Sequence, residues 1–256
     1  MKIGVFGDSF ATEVIDDRYM SDVTRNNESW VVNIRQKGHD ITTFGEGATS
    51  TYFSYTKFIE NYKDFDHIVF CYSSSQRIHN LPPEYRYLSN FLFQERNLPF
   101  SNTFNNLTQE QQDQVRRIFD VARFLQDDDF DKFVIQSVFE NVNRLCKNNK
   151  IKLVNILPFY NDNHSYVDFT NRSGDCLYGL LRVSVKELPN LNGVDPRFNH
   201  LSMENNTVLS TIILETLKNP YSNIVDLEKD SRFVFDTKIS NRYMNLIRRH
   251  LNTKLN

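Results

Sequence analysis

The sequence predicts an α/β protein, a three-layer α/β/α sandwich around a mostly parallel, doubly wound sheet. Short apolar runs rich in β-branched and aromatic residues alternate along the chain with segments whose apolar residues recur at helical spacing. Strands joined by helical crossovers lie parallel, and right-handed crossovers place helices on both faces of the sheet. The 256 residues are long enough to bury a full core.

Four apolar runs predict the central strands, because each is short and closed by glycine, serine or proline. They are Lys2–Phe6, Asp40–Phe44, His67–Tyr72 and Ile151–Leu157. A fifth run, Arg232–Asp236, is a candidate edge strand.

Helical spacing predicts helices between these strands. Thr108 and Gln111 have the spacing of a capping box, and one or two helices follow it to about Asn148. Ser202 is the predicted N-cap of a late amphipathic helix. The other predicted helices are Glu28–Gln36, Ser50–Tyr62, Ser202–Leu217 and Asn241–Leu251.

The whole chain, 1–256, is predicted to be a single domain without internal repeats. An aromatic-rich insertion is expected around 73–108, and a C-terminal extension around 219–256. The polar stretch Asn161–Phe198 contains several glycines and two prolines, so it is predicted to form loops with at most one short helix.

Composition excludes several classes of protein. Thirty basic and 32 acidic residues give a net charge of −2, whereas a general nucleic-acid binder carries an excess of basic residues. No apolar run is long enough for a membrane helix, so no membrane partner is expected. Cys71, Cys146 and Cys176 are widely spaced, which favours neither zinc nor disulfides. The sparse cysteines and the N-terminus, which does not resemble a signal peptide, predict a cytoplasmic protein.

Chemistry is expected at the carboxyl ends of the strands, where ligands bind in doubly wound sheets. Ser9 follows the first strand in a Gly-Asp-Ser turn, and it is either a nucleophile or a plain turn or capping serine. A nucleophilic serine needs a base, an orienter of that base and oxyanion donors. Of the six histidines, only His200 lies in a loop just before a late helix. Asp195 lies five residues earlier and is the candidate orienter.

The run from Gly4 to Phe10, with Ser9 directly after Gly-Asp, resembles the first block of the SGNH (GDSL-type) hydrolases, a flavodoxin-like fold class. The resemblance implies that Ser9 is the nucleophile and that Gly47 or Ala48, in the loop after the second strand, supplies an oxyanion-hole N–H. Phe10 stands where the family commonly has leucine.

The third block departs from the family, because its asparagine is absent after the third strand. Ser74, Ser75 or Gln76 is the candidate replacement for that oxyanion donor. His200 matches the histidine of the last block, but the residue three positions earlier is Arg197, not aspartate. Either Asp195 orients His200 by a different loop path, or a backbone carbonyl does.

Two residues are candidate supports of the site. Asp8 either braces the loops or accepts hydrogen bonds from backbone N–H groups. Arg77 either binds a substrate carboxylate or sugar hydroxyls, or forms a surface ion pair. The run from Asp195 to Ser202, followed by Glu204-Asn205-Asn206, more loosely resembles GDSL-like proteins of tailed phages, which would place the protein in the virion or the host cytoplasm.

The function implied by the resemblance is hydrolysis of a small acyl ester, with an O-acetyl group on a carbohydrate as the leading candidate. The expected partner is a small ester or acylated glycan, without metal or organic cofactor; nothing indicates the oligomeric state. One alternative is a catalytically weak or inactive protein of the same fold that binds glycans or has a structural role. A third hypothesis is nucleotide binding by a phosphate nest, although neither GxGxxG nor a Walker lysine is present.

Overall fold

Six parallel strands form one sheet in the described part of the chain, in the order β2-β1-β3-β4-β5-β6. The computed structural model describes residues 1–13, 29–47, 49–73, 107–125, 128–158, 167–179, 201, 203–219 and 223–233. The strands are β1 Lys2–Phe6, β2 Asp40–Thr43, β3 His67–Cys71, β4 Lys152–Leu157, β5 Asp175–Tyr178 and β6 Ile224–Asp226. Val5 pairs with Thr43 on one side and with Val69 on the other, so β1 lies inside the sheet.

Helices cover both faces of this sheet, as the alternation of strands and helices predicts. They are α1 Trp30–Gln36, α2 Thr51–Asn61, α3 Gln109–Leu125, α4 Asp128–Asn148 and α5 Met203–Lys218. Helix α1 packs against α5, and α2 packs against α4. The predicted three-layer sandwich with a doubly wound parallel sheet is therefore confirmed.

Two apolar cores lie on the two faces of the sheet, because successive strand residues point to opposite sides. In β1, Val5 belongs to the core that contains Trp30 and Leu209, whereas Phe6 belongs to the core that contains Phe58. The second core is rich in aromatic rings: Phe6 stacks on Phe44 at 4.9 Å and meets Phe58 edge-on at 5.5 Å between ring centroids.

The helix starts follow the capping residues in the sequence. Ser29 and Ser50 cap α1 and α2, so these helices begin one residue after each serine. Thr108 and Gln111 form the predicted capping box: the Gln111 N–H donates to Thr108 Oγ1, and the Thr108 N–H donates to Gln111 Oε1. Two helices, α3 and α4, follow this capping box, and α4 ends at Asn148, the predicted end of the helical segment.

One prediction for the second half of the chain was wrong. The stretch Asn161–Phe198 is not loops alone, because β5 lies within it. In the described residues the last strand of the sheet is Ile224–Asp226, which was not predicted; Arg232 and Phe233 lie in a turn, and the rest of the predicted Arg232–Asp236 strand lies outside the described residues. The predicted insertion around 73–108 falls almost entirely outside the described residues, as do the predicted helix Asn241–Leu251 and most of the C-terminal extension. The single-domain assignment stays a prediction.

Strand β5 was missed because its first residue, Asp175, is untypical of a buried strand. Asp175 is fully buried: Oδ1 accepts from the Asn223 N–H over 2.8 Å, and Oδ2 forms an ion pair with Lys152 Nζ at 2.9 Å. The carboxylate thus joins β5 to β4 and to the residue before β6.

Asn155, in the middle of β4, is the centre of a second buried polar group. Its Oδ1 accepts from the Tyr72 hydroxyl over 3.1 Å, and its Nδ2 donates to the Asp175 carbonyl over 3.2 Å. Asn143 lies 3.5 Å away on α4 and accepts from the Ser173 N–H over 2.8 Å. These bonds fix α4 and the start of β5 relative to β4, because buried amides must be paired.

All three cysteines are buried and free. Burial raises the pKa of the Cys146 and Cys176 thiols to about 12.

No helix in the described ranges is long and apolar enough to cross a membrane.

Replacing Asn155 by Leu is expected to lower the free energy of unfolding by about 1–3 kcal/mol, because the Tyr72 hydroxyl loses its buried acceptor. Urea unfolding followed by circular dichroism measures this change. Asn149→Ala is the control, since Asn149 is exposed and bonds only within its helix end, to the Leu145 carbonyl. Equal stability of Asn155→Leu and the wild type would contradict the role given to this amide.

The native protein is expected to react slowly with Ellman's reagent at about pH 8, because buried thiols with a raised pKa form little thiolate. In urea, Cys71, Cys146 and Cys176 should all react. A thiol that titrates within the mixing time in the absence of denaturant would show that at least one of these sites is open to solvent.

Candidate active site

The turn after β1, which is predicted to carry the nucleophile, is built on a close approach of backbone to β3. A Cβ on Gly7 would lie 2.7 Å from the Cβ of Cys71, so no larger residue fits there. The chain then enters a single 3₁₀ turn, Ser9–Ala11, in which the Ala11 N–H donates to the Asp8 carbonyl over 2.9 Å. Ser9 therefore stands, half-buried, at the carboxyl edge of the sheet.

Asp8 caps this turn. Its side chain is fully buried, and Oδ1 accepts from the Phe10 N–H over 3.0 Å. Of the two roles considered for Asp8, accepting a backbone N–H is the one that the structure shows. The capping position belongs to Asp8 and not to Ser9, so the Ser9 hydroxyl does not serve as this cap.

The carbonyls of the turn are held by side chains from three places. The Phe10 carbonyl accepts from the Trp30 indole Nε1–H over 2.7 Å, and the Ala11 carbonyl accepts from the Thr43 hydroxyl over 2.5 Å. Thr12 Oγ1 donates to the Ser9 carbonyl over 3.2 Å. A backbone held at three successive carbonyls fixes the direction of the Cα–Cβ bond of Ser9.

The loop after β2 lies directly against this turn. The Glu46 N–H donates to the Gly7 carbonyl over 3.2 Å. A Cβ on Gly45 would lie 2.4 Å from the Ala11 carbonyl oxygen, so glycine is required for this approach. A Cβ on Gly47 would lie 4.0 Å from the Ser9 Cβ. The structure thus brings together Ser9 and Gly47, two of the predicted site residues.

Ser73, the second residue after β3, ties the loop after β3 to the loop after β2, here called the glycine loop. Its buried hydroxyl donates to the Thr49 carbonyl over 2.7 Å, and its N–H donates to Thr51 Oγ1 over 2.9 Å. Thr49 in turn donates its hydroxyl to the Glu46 carbonyl over 2.7 Å. The loops after β1, β2 and β3 therefore form one hydrogen-bonded frame around Ser9.

Sequence reasoning did not assign this framing role to Ser73 or Thr49. The available signal was their position, since Ser73 directly follows the third strand, at the edge where ligands bind. Several predicted site residues lie outside the described part of the chain: Ala48, Ser74, Ser75, Gln76, Arg77, Asp195 and His200.

Leu201, the residue after His200, is described and buried. Its carbonyl accepts from the Asn206 side-chain Nδ2 over 3.2 Å, in the first turns of α5. Leu201 shares a core cluster with Phe10, the residue after Ser9. The chain next to the predicted base is thus packed into the same core as the chain next to the predicted nucleophile.

The chain leaving the serine turn is held by an ion pair. The two terminal guanidinium nitrogens of Arg35, Nη1 and Nη2, donate to the Glu13 carboxylate, and Nη2 also donates to the Ile41 carbonyl over 2.9 Å. The bond to Glu13 raises the pKa of Arg35. Within the described ranges, no group of three or more His, Cys, Asp or Glu side chains is placed to hold a metal ion.

Comparisons with solved structures return several chains that match over most of this sequence at low identity. One is described as a lipolytic protein of the G-D-S-L family from Desulfitobacterium hafniense DCB-2, with a TM-score of 0.41 and 11% identity over 84% of this chain and 98% of that one. Another is an acetyl xylan esterase, AlAXEase, with a TM-score of 0.45 and 11% identity over 84% of this chain and 98% of that one.

A third structure is a variant of an acetyl-xylooligosaccharide esterase from Geobacillus Stearmophilus, with a TM-score of 0.43 and 9% identity over 86% of this chain and 95% of that one. No protein-family model and no curated protein matches the sequence. None of the three structures is described as a phage protein, so the looser phage resemblance stays a prediction.

The two glycines of the loop after β2 should respond differently to a methyl group. Gly45→Ala is expected to lower the free energy of unfolding by about 1–3 kcal/mol, because the new Cβ meets the backbone of the serine turn. Gly47→Ala is the matched control, with an expected change within about 0.5 kcal/mol, since its Cβ makes an ordinary contact with Ser9. Urea unfolding measures the free energy of unfolding of both variants. An equal decrease in the two variants would contradict the claim that the backbone approach requires glycine at Gly45.

Proposed function

We propose that this chain is an SGNH-type serine hydrolase that cleaves a small acyl ester, an O-acetyl group on a carbohydrate being the leading substrate. The observation that carries the proposal is the position of Gly47 opposite Ser9: a Cβ added to Gly47 would lie 4.0 Å from the Ser9 Cβ. A serine hydroxyl and a loop that can offer backbone N–H groups meet there, at the edge of the sheet where ligands bind.

In the proposed reaction, the Ser9 Oγ attacks the ester carbonyl carbon while its proton passes to the imidazole of His200. The carbonyl π electrons move to the oxygen, and the N–H groups of Ser9 and of Gly47 or Ala48 stabilise the resulting oxyanion. The tetrahedral intermediate then collapses: the C–O bond to the alcohol breaks, and the alcohol leaves with the proton from His200. Water repeats the cycle on the acyl-enzyme and releases the acid.

Asp195 is proposed to hold the imidazole of His200 in its productive tautomer. Ser74, Ser75 or Gln76 is proposed to donate a further hydrogen bond to the oxyanion. The support for His200 is its neighbour Leu201, which is packed into the core that also contains Phe10. Consecutive Cα atoms are about 3.8 Å apart, so a fixed Leu201 limits how far His200 can lie from that core.

One observation favours the alternative function, binding of an acylated glycan without cleavage. Ser73 lies two residues beyond β3, and its hydroxyl already donates to the Thr49 carbonyl. With the family asparagine absent and this hydroxyl engaged, stabilisation of the oxyanion rests on fewer identified donors. A protein that binds an acylated glycan without cleaving it needs the hydrogen-bonded loops around Ser9 but does not need an oxyanion hole.

The esterase proposal is tested by hydrolysis of p-nitrophenyl acetate and by labelling with a fluorophosphonate. Ser9→Ala is expected to lower kcat/KM by at least about 10³-fold and to abolish labelling, because the nucleophile is lost. Ser50→Ala is the matched control. Ser50 lies near the same edge, but its hydroxyl caps α2 through the Phe53 N–H, so activity should persist.

Peptide mapping should place the label on Ser9, and acetate release from acetylated xylooligosaccharides tests the substrate class. Equal rates for the wild type and Ser9→Ala, with no labelling of either, would overturn the esterase proposal. Saturable glycan binding without acetate release would then favour the alternative. Hydrolysis of the nitrophenyl ester without acetate release from the glycan would overturn only the carbohydrate assignment.

A further inference from the structure

A chain of three buried hydrogen bonds connects the residue after Ser9 to the residue after His200. The Trp30 indole Nε1–H donates to the Phe10 carbonyl over 2.7 Å. The Trp30 backbone N–H donates to Asn206 Oδ1 over 3.0 Å. Asn206 Nδ2 then donates to the Leu201 carbonyl over 3.2 Å. Trp30 and Asn206 lie 176 positions apart and meet at the first turns of α1 and α5.

We infer that Trp30 and Asn206 are positioning residues, which hold the serine turn and the chain next to His200 in one fixed arrangement. The inference rests on the proposed function. It goes beyond it, because neither residue is proposed to touch the substrate, and Asn206 belongs only to the run that more loosely resembles GDSL-like proteins of tailed phages.

The chemistry of Asn206 supports a positioning role. Its side chain is 9% exposed and lies beside apolar residues, where an amide costs free energy unless its polar atoms are paired. An apolar residue of similar size would avoid this cost but could bond neither Trp30 nor Leu201. A carboxylate could accept from Trp30 but could not donate to Leu201. Of these three, the amide alone does both, which fixes the distance between these two parts of the chain.

Trp30 has a similar double role. Its ring is 2% exposed and packs in the core, while its indole nitrogen reaches the serine turn. A phenylalanine would keep most of the packing but would leave the Phe10 carbonyl without this donor. Buried hydrogen bonds have narrow preferred distances. Each bond in this chain therefore fixes the distance between the two segments that it joins, in addition to holding them together.

Other contacts between α1 and α5 join the helices without reaching the site. Asn33 Nδ2 donates to Thr207 Oγ1 over 3.4 Å, and Lys37 Nζ donates to Ser210 Oγ over 3.1 Å. The Asn33 contact is exposed, and the Lys37 contact lies nearer the C-terminal end of α1. These two residues therefore offer controls that loosen the same helix pair but leave the Phe10 and Leu201 carbonyls bonded.

The consequence for catalysis follows from the geometry of general-base attack. Serine is activated only when its hydroxyl lies within hydrogen-bond reach of the base. A displacement of about 1 Å in a reacting group can cost about 10²-fold in rate. Loss of a link should therefore lower kcat and the rate of labelling, while KM changes little.

The test compares Asn206→Leu with Asn33→Ala and Lys37→Met at a temperature well below the lowest Tm of the set. Asn206→Leu is expected to lower kcat and the fluorophosphonate labelling rate by at least about 10-fold, with KM within about twofold of the wild type. The two controls should stay within about twofold of the wild type. Asn206→Gln restores an amide and is expected to recover part of the lost kcat.

Trp30→Phe is the second loss variant, in case Asn206→Leu does not fold, and it should lower kcat in the same way. Trp30 is the only tryptophan in the chain, so its ¹⁵N-indole resonance reports directly on the link. Phosphonylation of Ser9 is expected to shift this resonance in the wild type but less in Asn206→Leu.

The outcomes separate the inference from the proposed function. An active, labelled wild type with a kcat in Asn206→Leu and Trp30→Phe equal to that of the controls would overturn the inference alone. A loss of kcat that only follows Tm across all variants would also overturn it, since that is the signature of a structural role. A wild type that neither hydrolyses esters nor labels would overturn both.

Discussion

The architecture of the candidate site depends on the close approach of backbone around the turn after β1. Gly7 lets this turn lie against β3, and Gly45 lets the next loop lie against the Ala11 carbonyl. Neither approach has room for a Cβ, because protein interiors are close-packed. Once these segments touch, the Glu46 N–H reaches the Gly7 carbonyl and Gly47 comes to lie opposite Ser9. The hydrogen bonds of Thr49 and Ser73 add to this arrangement, but the backbone approach at Gly7 and Gly45 is what allows it.

Much of the fold could be predicted from local signals. The first three strands and β4 are short apolar runs with clear ends, and hydrophobic burial on both faces leaves little choice of partner for such segments. Helix starts followed Ser29, Ser50 and the Thr108 capping box, because orphan N–H groups at a helix end need an acceptor. The serine turn and the glycine loop could be placed at one edge because parallel strands all end there.

The features of the fold that could not be predicted depend on contacts between residues that are distant in sequence. Strand β5 begins with an aspartate, which is tolerated in the core only because Lys152 and Asn223 reach it. The apolar alternation of Arg232–Asp236 resembles a strand, yet in the described residues the last strand of the sheet is Ile224–Asp226. The Trp30–Asn206 contact has no local signature at all, since each residue alone is an ordinary helix residue in its own segment.

Ser73 shows how the third block can depart from its family while the frame is retained. Its hydroxyl is bonded to the Thr49 carbonyl, so it fixes the glycine loop from the side of β3. The Glu46 N–H fixes the same loop from the side of β1. A loop bonded on both sides of Gly47 holds its backbone N–H groups in place before any substrate arrives. Preorganised donors stabilise an oxyanion without having to reorient at the moment of reaction. Under the proposed mechanism, these bonds orient the Gly47 N–H, while the donor lost with the missing asparagine is supplied by Ser74, Ser75 or Gln76.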